Sequence, residues 1–251
     1  MSLTTRTLTA PATGRMALDL SAADLEAEVV FTAGAGQARI ELSGPAEVVE
    51  AATAAQDAGT WRIRVPEPAP TVLGGGGVTV IGGSVRGSIV VSGGTTVING
   101  RVFGRGTAVI TDTGEPVRAR VVLPAGADLV TDITAGSLTT RGRAGAIDHT
   151  GHSACLRVAE ADSVAATLHN GTVRVGEVIG EADVRTHNGA ITVGRTGSHT
   201  RAATHNGAVA ITAGGDGPIR ATTHNGPITI RRAGFSPKVR TRTHNGSEHI
   251  D

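Results

Sequence analysis

The chain has 251 residues, 36 of them glycine, with no tyrosine, one tryptophan and aromatics at 2%, which excludes a core that relies on aromatic side chains for its buried area. Val, Ile, Leu, Ala and Thr must fill the interior instead, and that suits a narrow stack of flat coils. The formal net charge of +1 gives no overall field that would favour nucleic acid or a membrane surface.

Residues 1–73 read as an N-terminal β-rich cap. Strands are expected at Met16–Leu20, Ala27–Phe31, Gln37–Ser43 and Thr60–Val65, with a short helix from Pro45 to about Ala55, proline standing in its first turn. Glu67–Pro70 marks a boundary. Residues 74–106 form a Gly-rich β insertion or flap, in which Val78–Ile81, Ser88–Val91 and Thr95–Ile98 alternate with Gly82-Gly83, Gly93-Gly94 and Asn99-Gly100. Gly74–Gly77 lacks the Lys-Ser or Lys-Thr of a phosphate loop, and Gly34-Ala35-Gly36 departs from the dinucleotide fingerprint.

Residues 107–251 carry an internal repeat. Leu168-His169-Asn170-Gly171 is followed by Thr-His-Asn-Gly beginning at Thr186, Thr204, Thr223 and Thr243. The chain has six asparagines, and each precedes a glycine. Before each Asn of the repeat, small or apolar residues alternate with polar ones, as in Ile219, Ala221 and Thr223. After each Gly, pairs such as Val173 and Val175 or Ile191 and Val193 do the same. Period-2 alternation means strands with one buried face. The unit is therefore strand, sharp corner, strand, bend, every 18 to 20 residues. Asn170-Gly171, Asn188-Gly189, Asn206-Gly207, Asn225-Gly226 and Asn245-Gly246 form the corners, since both residue types tolerate positive φ. Asn-Gly also suits a row of hairpins. A solenoid is preferred because identical residues recur at every position, and stacked asparagines hydrogen-bond one another. Ala135-Gly136 and Thr150-Gly151 mark two degenerate coils upstream, for about seven in all. The fold class is all-β: a β-solenoid with an N-terminal β-rich cap and a Gly-rich insertion.

The step from Val121-Val122-Leu123-Pro124-Ala125-Gly126 into Val184-Arg185-Thr186 and Gly189-Ala190-Ile191-Thr192-Val193 resembles the bacterial "putative adhesin" β-strand-repeat family of unknown function, in its actinobacterial type. The resemblance covers residues 107–251 well and 1–70 loosely. It implies a repetitive β scaffold and supplies no catalytic residues. His-Asn-Gly stands here where family members more often have Ser-Gly, Ala-Ser-Gly or Asn-Gly-Asp.

His169, His187, His205, His224 and His244 precede the corner and point outward, so stacked coils would line up their imidazoles. They pack flat as a shield for the asparagines, or they offer a ridge for divalent metal, since histidine is the commonest metal ligand. A closed zinc site wants four convergent ligands, which a ridge does not supply. No resident cofactor or metal is expected. Asp148, His149, His152, Ser153 and Cys155 cluster in sequence without a recognised catalytic order, with Cys155 expected in the core beside Leu156. Acids in the coils are few, so the paired carboxylates of a glycan hydrolase are missing. An enzyme is not expected.

Charge is uneven, with nine acids against five Arg in residues 1–73, and seven Arg with Lys238 against Asp216 in residues 195–247. This is the solvated surface of a repeat, a basis for head-to-tail association, or a face for an acidic polymer through Arg220, Arg231, Arg232, Arg240 and Arg242. Nucleic acid is disfavoured because aromatics do not interleave with the arginines. One cysteine excludes an internal disulfide, Met1–Leu20 holds no apolar run of signal-peptide length, and no stretch is long enough to span a bilayer. A cytoplasmic place and no membrane partner are expected. After Gly246 only five residues remain, so the last coil presents open strand edges. The expected function is a non-enzymatic scaffold that self-associates there, as dimer or filament, or binds a protein partner.

Overall fold

The two strands of each repeat become two parallel ladders. On one wall, Ala182–Asn188, Thr200–Asn206, Ile219–Asn225 and Val239–Arg242 stack upon the end of Arg143–Asn170. On the other, Val173–Val178, Ile191–Thr196, Val209–Ala213, Ile228–Arg231 and Glu248–Ile250 do the same. Residues one repeat apart are partners, as in Val184 with Ala202 and Ala202 with Ala221. Parallel pairing at a one-coil offset defines a solenoid, whereas a meander pairs successive strands antiparallel. Between the walls lie Val184, Ile191, Val209, Ala221 and Ile228, all fully buried. The structure, a computed structural model, describes residues 2–12, 16–67, 71–74, 78–81, 87–92, 95–98, 101–103, 108–112 and 116–251, with backbone alone between Thr71 and Asp112.

The degenerate coils are Asp128–Arg141 and the first part of Arg143–Asn170, long strands that continue through the corner. Leu129 pairs with Ile147 and Leu138 with Leu156 within one ladder. A further coil comes from far upstream. Ala17–Thr32 pairs in parallel with Asp128–Arg141, from Ala17 opposite Asp128 to Val30 opposite Arg141. It is the first coil of the stack, although residues 33–127 intervene before the second.

Strands from both sides of the first coil in sequence close this end. Val117–Pro124 runs parallel to Ala17–Thr32, and Gln37–Pro45 and Leu3–Pro11 follow it antiparallel. Beside the first half of the same coil, Thr60–Val65 pairs in parallel and Thr53–Asp57 completes a hairpin. The helix Ala46–Ala51 packs here with Val48 and Val49 buried, near Trp61, which is 2% exposed. It is shorter than its sequence suggests because Thr53–Asp57 is drawn into the hairpin. Arg6 donates to the carbonyls of Glu50 and Ala52 at 2.8 and 2.7 Å, which satisfies groups that a helix end leaves without partners. Ion pairs concentrate on these first coils: Arg118 with Glu26 at 3.2 Å, Arg141 with Glu28 at 2.6 Å and Arg62 with Asp19 at 3.7 Å.

Thr71–Gly74, Gly87–Ser92 and Ala108–Asp112 form one three-stranded sheet, and Val78–Ile81, Thr95–Ile98 and Arg101–Phe103 another. The Gly82-Gly83, Gly93-Gly94 and Asn99-Gly100 pairs, and Gly75 to Gly77, lie outside the described residues. Among the described residues, no helix is long and apolar enough to cross a membrane.

Candidate functional site: the Thr-His-Asn-Gly corner

The repeated tetrapeptide divides the work of one corner among its four residues. Threonine points inward, and its hydroxyl donates to the glycine carbonyl of the coil before: Thr204 to Gly189 at 3.0 Å, Thr223 to Gly207 at 3.0 Å and Thr243 to Gly226 at 3.2 Å. A buried hydroxyl is thereby satisfied. Asparagine forms an amide ladder. Asn188, Asn206, Asn225 and Asn245 each donate Nδ2 to Oδ1 of the preceding asparagine at 2.7–2.8 Å. The main chain runs a second ladder beside it, with Gly189 N on Asn206 O at 2.9 Å and Gly207 N on Asn225 O at 2.9 Å.

Positive φ, the expected reason for Asn-Gly, holds for glycine at Gly171, Gly207 and Gly226, with φ of +155°, +156° and +148°, but not for asparagine. Among the described residues, positive φ outside glycine occurs only at Ala58 and Ala233, so no asparagine uses its tolerance of that region. The side-chain ladder accounts for it instead. Glycine is required by close approach as well, and at Gly189 by close approach without a positive φ. A Cβ on Gly189 would fall on the carbonyl oxygen of Gly171, and one on Gly207 on that of Gly189. Replacing Asn206 with alanine is expected to cost about 1–2 kcal/mol, since it removes an accepted and a donated bond at a partly wetted site. Urea unfolding of the variant measures this, and an unchanged midpoint would make the ladder decorative.

Histidine points out and stacks. The column has six members, His152, His169, His187, His205, His224 and His244, with ring centroids 4.7–5.0 Å apart and interplanar angles of 0–12°. His152 escapes the sequence pattern because Ser153 and Ala154 replace Asn-Gly in its coil. Its spacing of 17 residues from His169, matching Leu156 opposite Val173, was the available signal. Parallel stacking sets what the column can do. Lone pairs on adjacent rings run side by side without converging, and equivalent nitrogens lie about one coil apart, beyond the ~4.2 Å that two zinc–nitrogen bonds can span. Among the described residues, no three His, Cys, Asp or Glu gather in a metal-holding group. What the ridge offers is a row of imidazole edges able to donate hydrogen bonds outward.

The Asp148–Cys155 cluster disperses across the strand. His149 is fully buried with Nδ1 2.7 Å from Thr131 Oγ1, while its Nε2 has no partner. Burial pushes its pKa down to about 4. His152 joins the outer stack. Cys155 is exposed, which corrects its expected place in the core: adjacent residues of a strand face opposite sides, and Leu156 takes the inside. The arginines also divide. Arg220, Arg240 and Arg242 share the wall of the histidines, whereas Arg231 belongs to the opposite wall.

No family model matches the chain, and no curated protein matches it. Among solved structures, it is similar to a "putative adhesin" from Bacteroides fragilis, at 11% identity over 98% of this chain and 96% of that one, with a TM-score of 0.57. It is also similar to a "putative adhesin" from Parabacteroides merdae, at 7% identity over 98% and 96% of the two chains, with a TM-score of 0.42. The first likeness establishes a shared fold along nearly the whole length of both chains.

Proposed function

We propose that this chain is a non-enzymatic interaction scaffold of the adhesin-like β-strand-repeat type, and that it associates with further copies through the outer edge of its last coil. The carrying observation is a contrast between the two ends of the stack. The first coils are covered by the helix and the antiparallel strands. At the other end, Val239–Arg242 and Glu248–Ile250 pair on one side only among the described residues. There the core opens. Ile219, Ala221 and Ile230 are buried, whereas their partners Val239 and Thr241 are half-buried and Ile250 is 41% exposed. Unpaired main-chain groups beside uncovered apolar side chains form a template for another strand pair. A shared fold with a protein described as a "putative adhesin" supports an interaction role over catalysis.

Light scattering at two protein concentrations tests this on the full chain and on Ile250→Lys, which places a charge on the open edge. The mass of the wild type is expected to rise with concentration and that of the variant to stay at one chain. A wild type that remains monomeric overturns the reading, as does a variant that associates equally well.

A further inference from the structure

We infer that the histidine-bearing wall of the last three coils is a binding face for a linear acidic polysaccharide. Outward positions on this wall recur every second residue, and four of them can be followed from coil to coil. They are His199, Arg201, Ala203 and His205 in one coil, Pro218, Arg220, Thr222 and His224 in the next, and Lys238, Arg240, Arg242 and His244 in the last. Twelve positions thus hold five permanent cations, four histidines, three small neutral residues and no acid. The preceding coil ends the patch, with Glu181 and Asp183 in its first two positions and Arg185 held by Asp183 at 2.7 Å.

These cations differ from those of the first coils. Arg118, Arg141 and Arg62 each meet a carboxylate. No ion pair involves Arg201, Arg220, Lys238, Arg240 or Arg242 among the described residues. Five like charges held on a rigid sheet repel one another, and a polyanion relieves that repulsion while releasing the counterions they gather.

The relief of the face selects the kind of polyanion. Two shallow grooves follow the stack axis. One, of about 460 Å³, lies beside the stacked imidazoles of His205, His224 and His244, with Arg185 and Arg242 at its ends. The other, of about 240 Å³, is lined by His199, Arg201, Arg220, Lys238 and Arg240. A chain lying along either groove meets a new set of donors at each coil, every ~4.8 Å. A polymer of sugar acids carries an anionic group on each ring, which an arginine can hold bidentately. An extended acidic peptide repeats its same-side carboxylates at about 6.6–6.8 Å and falls out of step. His205, His224 and His244 stack on one another and turn edges rather than faces outward, which makes a poor platform for bases, and none of the twelve side chains is an apolar wedge for a lipid interface.

This reading rests on the chain being a binding scaffold and does not require its self-association. The test uses the full chain with polygalacturonate as probe and neutral dextran, oligothymidylate and anionic phospholipid vesicles as comparisons. Wild type is expected to bind polygalacturonate and to lose more than about tenfold in affinity between ~50 and ~200 mM salt. Arg201→Gln/Arg220→Gln/Arg240→Gln is expected to lose at least about tenfold, which is about 1.4 kcal/mol for the set of charges removed. The control Arg157→Gln/Arg174→Gln/Arg231→Gln removes equal charge from the opposite wall and is expected to change binding less than about twofold. Absence of wild-type binding, equal losses in both triple variants, or tighter binding to oligothymidylate or vesicles overturns the inference. Light scattering of the same samples separates it from the edge-association reading, because a monomer that binds the polymer supports this face and sinks only the other proposal.

Discussion

Gly189→Ala is expected to lower the stability of the whole stack by about 3 kcal/mol or more, an effect in the range otherwise seen for the most disruptive single substitutions. The added methyl would occupy the position of the Gly171 carbonyl oxygen. Neither side can yield cheaply. That oxygen belongs to a main chain fixed by Gly171 N on Asn188 O at 3.0 Å, and Gly189 is fixed in turn by its bond to Asn206 O at 2.9 Å. Separating the coils enough to admit a Cβ stretches both ladders and the asparagine ladder beside them. Gly34→Ala supplies the comparison. Gly34 has φ +74° but open space where a Cβ would stand, so its replacement costs about 1–2 kcal/mol from backbone conformation alone. Urea unfolding of both variants distinguishes crowding from φ preference. If Gly189→Ala is no worse than Gly34→Ala, close approach is not what fixes glycine at the corner.

Acid is expected to weaken the fold through His149. Its pKa falls from 6.5 to about 4 because burial penalises the charged ring. Between those values the unfolded chain binds a proton that the folded one refuses. Stability is therefore whole above about pH 6.5, declines as pH falls, and levels off below about 4. The interval is worth about 3 kcal/mol at ~1.4 kcal/mol per pH unit. The partnerless Nε2 explains why no neighbour offsets the cost of charging. Thr131→Val/His149→Val removes the ring together with the hydroxyl that bonds it, and Val184 occupies the same inward column further along the stack. The difference in stability between pH 7 and pH 4 should shrink by about 3 kcal/mol in the double variant. Equal losses in the two proteins would place the acid sensitivity elsewhere.

The coils from Val164 onward were legible because their period and alternation are local: Thr186, Thr204 and Thr223 announce the corner, and Ile191, Val209 and Ile228 the inward face. The first coil was not. Ala17–Thr32 alternates as any half-buried strand does, and nothing within it names Asp128–Arg141 as a partner, because parallel pairing across a long insertion leaves no local trace. His152 was hidden by a corner built from Ser153 and Ala154. The basic face needed register. Arg201, Arg220 and Arg240 are 19 and 20 residues apart, and only the ladder shows them in one column while Arg231 turns to the other wall.

The placement of the first coil also has a consequence for synthesis. A ribosome completes Ala17–Thr32 well before it makes Val117–Pro124 and Asp128–Arg141, the strands that flank it. At ~5–20 residues per second, the delay is roughly 5–20 s. For that time Leu18, Leu20, Leu25, Val29 and Phe31 belong to a nascent segment without its neighbours, and Thr60–Val65 is available for only half of it. Once Asp128–Arg141 has docked, each later repeat meets a finished edge on emerging. The N-terminal segment thus carries uncovered apolar side chains during translation, whereas each histidine coil emerges beside the coil it pairs with.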